Sequence, residues 1–214
     1  MAMLKENRKR RLLVPEGACE EWVQLHAGRM RYLKAGSGPP LVLVHGLMGF
    51  SFSWSENIPP LADVRTVYAI DLLNLGYSDR CNIDASLKAT AAQVLEFMDA
   101  VGLDRAELVG SSNGGSIVLA MAILAPDRVE QMVLVSPANP WTEVSRWQAK
   151  LFSSPLGGLI SSLVPFMPRP LRQYYLGRLY HDSARALPGT LEEYTAAVRM
   201  AGTMSHLVKL ISSG

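Results

Sequence analysis

Residues 106–115 read AELVGSSNGG, and the almost wholly apolar stretch SIVLAMAIL follows at 116–124. This pattern predicts a buried strand, a tight turn and a helix that packs closely on the sheet. The turn follows Gly-x-Ser-x-Gly, a spacing that lets the strand and helix approach and holds the serine side chain clear of the backbone. Only Ser112 has a glycine two positions away on both sides. Ser112 is therefore a candidate nucleophile, the alternative being that small residues at this junction serve packing alone.

The rest of the first 140 residues alternates between strands and helices in the same way. The run LVLV at 41–44 has no polar alternation, which is typical of a strand buried on both faces. Strands are predicted at 21–25, 30–33, 41–44, 64–70, 106–109 and 132–135, and helices at about 53–61, 87–101 and 114–124. The first two strands form an antiparallel hairpin. The alternation predicts an α/β protein with a mostly parallel sheet and helices on both faces.

The composition divides the chain into three segments. Residues 1–19 form a polar, basic tail, and residues 20–140 carry the alternating strands and helices. Residues 141–214 show amphipathic helical pieces interrupted by prolines, without a convincing strand. We therefore expect an α/β core at 20–140 and a helical cap or lid at 141–214.

Three landmarks occur in order at the ends of the predicted strands. His45-Gly46 follows the strand at 41–44, the stretch DLLNLGYSD at 71–79 follows the next, and the turn at 110–115 follows the third. Over about residues 20–140 the chain resembles the α/β-hydrolase superfamily, in particular serine hydrolases of the esterase or lipase type. The usual glycine of the second landmark is replaced by Asn74, which tolerates a left-handed backbone.

The resemblance assigns roles to the residues around the turn. Ser112 is implied to be the nucleophile, and the backbone N–H groups of Leu47 and Asn113 the donors of an oxyanion hole. His45 is implied to form a turn rather than to act as the base. Asp71 is implied to bond loop amides rather than to act as the catalytic acid.

The superfamily order of nucleophile, acid and histidine implies an acid and a base after Ser112. His181 and His206 both lie in the helical segment, and Glu143 is a minor candidate for the acid. The chain therefore resembles the N-terminal part of a longer hydrolase without its last strands, and we expect little activity from it alone. We also expect residues 132–135 to form an unprotected apolar edge that causes self-association.

A serine at the nucleophile position favours hydrolysis of a small apolar ester or related acyl compound. The alternatives are hydrolysis of a carbon–carbon bond by the same fold, and a non-catalytic ligand-binding protein that retains the pocket. Dehalogenase and epoxide-hydrolase activities, which the resemblance associates with aspartate at this position, are not expected. The helical segment is rich in apolar residues that suit an apolar pocket, the alternative being that they pack the lid: Trp141, Trp147, Leu151, Phe152, Phe166 and Met167.

Composition argues against several other classes of protein. The formal net charge of +2 is too small to indicate nucleic acid or an anionic membrane as a partner. Cys19 and Cys81 lack ligand spacing, so we expect no metal and no cofactor. Neither a signal peptide nor an uninterrupted apolar stretch of about 20 residues is evident, which predicts a cytoplasmic protein. Substrate identity and oligomeric state stay open.

Overall fold

The computed structural model describes residues 14–138, 166–177 and 189–212, together with residues 154 and 163. Its centre is a single six-stranded sheet in the order β1-β2-β4-β3-β5-β6. The strands are β1 (Ala18–Gln24), β2 (Arg29–Ala35), β3 (Pro40–Val44), β4 (Thr66–Ile70), β5 (Ala106–Ser111) and β6 (Val129–Val135). All six predicted strands are present, and β1 begins two residues before the predicted start of the core.

The pairing of the strands confirms a mostly parallel sheet. Strands β3 and β4, β3 and β5, and β5 and β6 pair in parallel. Strands β1 and β2 form the expected antiparallel hairpin, and β2 pairs antiparallel with β4. The chain adds β4 on one side of β3 and then returns to add β5 on the other. The carboxyl ends of β3 and β5 therefore form a topological switch point, the position at which open α/β sheets bind their ligands.

Six α-helices are present among the described residues. They are α1 (Ile58–Ala62), α2 (Leu87–Ala100), α3 (Asn113–Leu124), α4 (Arg169–Gly177), α5 (Thr190–Val198) and α6 (Thr203–Ser212). The prediction of one helix at 53–61 is wrong, because Ser51–Trp54 forms a 3₁₀ turn and α1 begins at Ile58. Pro59 and Pro60 lie in the first turn of α1, where the missing N–H groups break no helical bond.

Alternating side chains of the sheet pack against helices on both of its faces, as predicted. On one face, Val42 and Val44 lie in a buried cluster with Phe97 of α2 and Ile117 of α3. On the other face, neighbouring strand residues pack with Trp54 and Ile58. The period of two along each strand sends successive side chains to opposite faces. The uninterrupted apolar run at 41–44 is thereby explained.

The elements described after Ala138 are helices α4, α5 and α6, and the assignment of residues 141–214 to a cap or lid stays a prediction. The expectations placed on Trp141, Glu143, Trp147, Leu151, Phe152 and His181 lie outside the described residues. No helix within the described ranges has both the length and the apolar character needed to cross a membrane.

Strand β6 lies at the edge of the sheet and pairs only with β5 among the described strands. The side chains of Met132, Val133 and Val135 are 42%, 57% and 45% exposed. On the neighbouring helix α3, Ile123 and Leu124 are 75% and 48% exposed. An apolar edge strand beside an apolar helix face is a template for association.

We expect the chain to self-associate through this edge and Val133→Lys to restore a monomer, because a charged side chain on an edge strand opposes strand addition. Size-exclusion chromatography with light scattering measures the effect. Val64→Lys is the matched control, since Val64 is 58% exposed but lies outside the strands. A sharp monomeric peak from the unchanged chain, with cooperative melting, would contradict the prediction.

Candidate active site

Ser112 lies on a strained turn between β5 and α3. Its backbone has φ 52° and ψ −118°, a conformation that non-glycine residues rarely adopt. Its backbone is held by four neighbours: its N–H donates to the carbonyl of Val135, and its carbonyl accepts from the N–H groups of Gly115, Ser116 and Ala138. The side chain is exposed, and Ser112 Oγ has no hydrogen-bond partner among the described residues. The turn thus presents a free hydroxyl at the carboxyl end of the sheet.

The glycines of the turn are required by close backbone contacts. A Cβ added to Gly110 would lie 2.3 Å from the carbonyl oxygen of Gly114. A Cβ added to Gly114 would lie 2.2 Å from the carbonyl oxygen of Val44, at the end of β3. Both distances are shorter than a carbon–oxygen contact allows. The sequence Gly-x-Ser-x-Gly is therefore dictated by contact of α3 with both β5 and β3.

Residues 45–50, here named the β3 loop, lie directly against the nucleophile candidate. A Cβ on Gly46 would lie 3.1 Å from Ser112 Cβ. Leu47 is half-buried, and its N–H donates to no acceptor within the described ranges. Asn113 is the first residue of α3, and the N–H groups of a first helical turn have no acceptor in the helix. The two residues expected to form an oxyanion hole thus flank Ser112 on its neighbouring loop and its own helix.

His45 is engaged by backbone groups at both ring nitrogens. Its Nδ1 lies 2.8 Å from the carbonyl oxygen of Gly46, and its Nε2 accepts the N–H of Leu72 at 3.1 Å. Nδ1 must therefore carry the proton while Nε2 is the acceptor. The imidazole is fully buried, and burial lowers its pKa. A neutral ring with both nitrogens occupied cannot accept the proton of Ser112, so His45 links two loops.

Asp71 anchors the residues that follow β3 and β4. Its Oδ1 accepts the N–H of Ser51 at 2.7 Å, and its Oδ2 accepts the N–H of Tyr77 at 2.9 Å. Arg31 completes the site with a charged hydrogen bond from Nη1 to Asp71 Oδ2 at 3.1 Å. Asp71 thus bonds loop amides, the role expected of it from the sequence. The sequence did not predict a role for Arg31, because it is one of three charged residues in the strand RMRYLKA and nothing in the pattern distinguishes it.

Residues 71–79, here named the β4 loop, contact helix α6 through Asn74. Asn74 has φ +67°, the left-handed conformation expected where a glycine is usual. Its Oδ1 accepts the N–H of Cys81 at 2.6 Å, and its Nδ2 lies 3.3 Å from Nδ1 of His206. Burial, together with the positive charges of Lys209 and Arg80, lowers the pKa of His206 to about 4. His206 therefore joins the helical region to the β4 loop as a neutral ring.

Helices α5 and α6 make further polar contacts with the core near the two loops. The hydroxyls of Tyr194 and Ser53 lie 2.9 Å apart, and Tyr77 donates to the buried Glu193 at 3.3 Å. Arg80 Nη2 donates to Thr203 Oγ1 at 2.8 Å. These bonds surround a cluster of stacked and edge-on rings formed by Phe50, Phe52, Tyr77 and Tyr194.

The described part of the chain contains no cluster of three or more histidine, cysteine, aspartate or glutamate side chains that could hold a metal ion. His26 is exposed in the turn between β1 and β2. Among the described residues the structure places Gly46, the neighbour of Leu47, against Ser112, and Asn113 directly after it, but it brings no histidine to Ser112 Oγ.

Comparisons with known proteins agree with this architecture. The family model described as alpha/beta hydrolase fold matches residues 39–205. The dihydrolipoyllysine-residue acetyltransferase component of the acetoin cleaving system from Cupriavidus necator is 38% identical over 123 residues, covering 57% of this chain and 33% of that protein. Haloalkane dehalogenase 2 from Mycobacterium tuberculosis is 30% identical over 181 residues, covering 84% of this chain and 59% of that protein.

A solved structure of epoxide hydrolase CorEH has the same fold. It superposes with a TM-score of 0.78 at 23% identity, covering 92% of this chain and 74% of the other. The two curated relatives are longer, and the chain spans 33% and 59% of their lengths.

Replacement of Gly114 by alanine tests the close packing of the turn. We expect Gly114→Ala to lower the free energy of unfolding by at least about 2 kcal/mol, because the new methyl group overlaps backbone carbonyls. Urea denaturation measures the loss. The control is Gly102→Ala, where φ is +74° but a Cβ meets nothing within 4 Å, so only backbone strain of about 1 kcal/mol applies. Equal losses in the two variants would contradict the steric explanation.

The lowered pKa of His206 predicts a loss of stability in acid. Unfolding returns the imidazole to a pKa of about 6.5, so the folded state favours its neutral form. The free energy of unfolding is therefore not reduced by His206 above about pH 6.5. As the pH falls towards 4 the unfolded state gains a proton that the folded state does not, and the free energy of unfolding decreases by at most about 3 kcal/mol. Melting temperatures between pH 8 and 4 measure the loss, which His206→Gln should reduce. His26→Gln is the control on an exposed ring, and an unchanged pH dependence in His206→Gln would refute the prediction.

Proposed function

The chain belongs to the alpha/beta hydrolase fold family, and on this premise we propose that it is a serine hydrolase with Ser112 as its nucleophile. The observation that carries the proposal is the strained, glycine-enclosed turn that exposes the Ser112 hydroxyl beside the β3 loop. A hydrolase is consistent with the relatives, which include a haloalkane dehalogenase. The proposed substrate is a small apolar ester or a related acyl compound.

The proposed reaction proceeds through an acyl-enzyme. Ser112 Oγ attacks the carbonyl carbon, the Oγ–C bond forms, and the carbonyl π electrons move to the oxygen. The backbone N–H groups of Leu47 and Asn113 stabilise that oxyanion, an effect worth roughly 3–4 kcal/mol per donor in related sites. Collapse of the intermediate expels the alcohol, which takes up the proton lost by Ser112. Water then releases the acid and restores the hydroxyl.

The nucleophile also determines which bonds the site can break. Attack by serine on a saturated carbon, as in a haloalkane or an epoxide, would leave an ether that water does not readily hydrolyse. Attack by a carboxylate would leave an ester, which water can cleave. Attack by serine on a carbonyl gives a hydrolysable ester. Serine at position 112 therefore favours a carbonyl substrate, and hydrolysis of a carbon–carbon bond next to a carbonyl is the second candidate.

Apolar groups border the proposed site and support an apolar substrate. Leu47 is half-buried in the β3 loop, and Met48 is 40% exposed beside it with φ +63°. We propose that the helical region, from residue 141 onwards, is the lid over this site, since α5 and α6 contact residues 53 and 74–80. The free thiols of Cys19 and Cys81 suit a reducing cytoplasmic location.

A fluorophosphonate probe tests the nucleophile. We expect at most weak labelling of Ser112 in this chain, because no described histidine activates its hydroxyl, and strong labelling in the polypeptide encoded by the complete reading frame. Labelling should be lost in Ser112→Ala and retained in Ser111→Ala, because only Ser112 stands on the exposed turn. Intact-mass and peptide mass spectrometry locate the label. The same variants are measured in the polypeptide encoded by the complete reading frame. Absence of labelling and of ester turnover in both polypeptides would favour a non-catalytic ligand-binding protein.

A further inference from the structure

We propose that Arg31 is a positioning residue that holds the β3 loop against Ser112 and so orients the Leu47 N–H. The proposal deepens the proposed function and rests on it for its catalytic consequence. Arg31 lies on β2, in the antiparallel part of the sheet, and its side chain extends to the residue that follows the β3 loop.

Arg31 is held in place by charges and by one hydroxyl. It is only 1% exposed, and its Nη1 donates to Ser51 Oγ at 2.8 Å and to Asp71 Oδ2 at 3.1 Å. Its Nε lies 3.2 Å from a carboxylate oxygen of Glu20. Burial alone would lower the pKa of the guanidinium, but Asp71 and Glu20 outweigh burial and raise it. Arg31 is therefore a permanently charged group inside the protein, and its geometry is set by its partners.

Ser51 forms a hydrogen bond with each member of the Arg31–Asp71 ion pair. Its side-chain oxygen accepts from Arg31, while its backbone N–H donates to Asp71 Oδ1 at 2.7 Å. The other end of the β3 loop is tied to the β4 loop by the hydrogen bond from the Leu72 N–H to His45 Nε2. A six-residue loop that is fixed at both ends has little freedom to turn its amides. The direction of the Leu47 N–H thus depends on the Arg31–Asp71 pair.

The same pair is not simply a general support of the fold. Arg31 contacts Asp71 just beyond the carboxyl end of β4. Ser112 lies beyond the carboxyl end of β5, at the same end of the sheet. A second ion pair, between Arg65 and Glu107 at 2.8 Å, lies at the amino ends of β4 and β5, the end of the sheet away from Ser112. Loss of Arg65 therefore removes an arginine–carboxylate contact that does not touch the β3 loop. This pair is partly exposed, whereas Arg31–Asp71 is buried, so Arg65→Met controls for the loss of an ion pair and the reference segments control for a general loss of stability.

Hydrogen exchange measured by mass spectrometry tests the proposal without requiring activity. In Arg31→Met we expect the amides of residues 46–51 to exchange at least about tenfold faster, relative to those of residues 41–44 and 107–110. Arg65→Met should leave this ratio unchanged, and Arg31→Lys, which keeps the charge, should restore part of the protection. Equal acceleration in all three segments, or the same effect in Arg65→Met, would overturn the proposal.

Two further measurements keep the test decisive. If Arg31→Met does not fold, Ser51→Ala replaces it, because this variant removes only the hydroxyl contact with Arg31. Unchanged hydrogen exchange at residues 46–51 in both Ser51→Ala and Arg31→Lys would overturn the proposal. In a polypeptide that labels at Ser112, Arg31→Lys should lower the maximal rate of phosphonylation without changing the half-saturating probe concentration. If Ser112 does not label at all, the proposed function fails, while hydrogen exchange still decides the role of Arg31.

Discussion

The contact between the first turn of α3 and the ends of β3 and β5 is the constraint on which the rest of the site depends. Gly110 and Gly114 allow backbone to meet backbone at distances that no side chain would permit. This approach forces the strained conformation of Ser112 and brings Gly46 against its Cβ. Because β3 and β5 are neighbours only through the reversal of strand order, the topology and the turn together place Ser112 at the switch point of the sheet.

Buried polar groups then shape the two loops around this contact. His45, Arg31 and Asp71 are each almost completely buried, and each bonds residues of the loops that border Ser112. Buried polar groups are costly when unsatisfied, and they specify a single arrangement when they are paired. The loops are thereby held by internal hydrogen bonds as well as by buried apolar side chains such as Leu72 and Phe50. Helices α5 and α6 attach to the same loops through Tyr77 and Asn74.

Local signals in the sequence predicted the α/β class, the strands and the turn at Ser112. Each depends on residues within a few positions of one another, or on a spacing that backbone geometry dictates. The bonding of Asp71 to loop amides was instead implied by the resemblance to α/β-hydrolases, since its partner Ser51 lies 20 positions away. The 3₁₀ turn at Ser51–Trp54 was missed because its apolar spacing resembles that of a helix. Arg31 and the contact of His206 with Asn74 were missed because they join residues 40 and 132 positions apart. The roles of Ser112, Leu47 and Asn113 in catalysis stay predictions.

Asn74 combines a left-handed backbone, which usually favours glycine, with a side chain that forms hydrogen bonds. At φ +67° a glycine would adopt the same backbone with less strain, but it would offer no side chain. The amide of Asn74 bonds the backbone at Cys81 and the ring of His206 at once. A residue that sets the shape of the β4 loop thereby also attaches helix α6 to that loop. Variation at this one position would therefore change how firmly the helices are attached while leaving the course of the main chain unaltered.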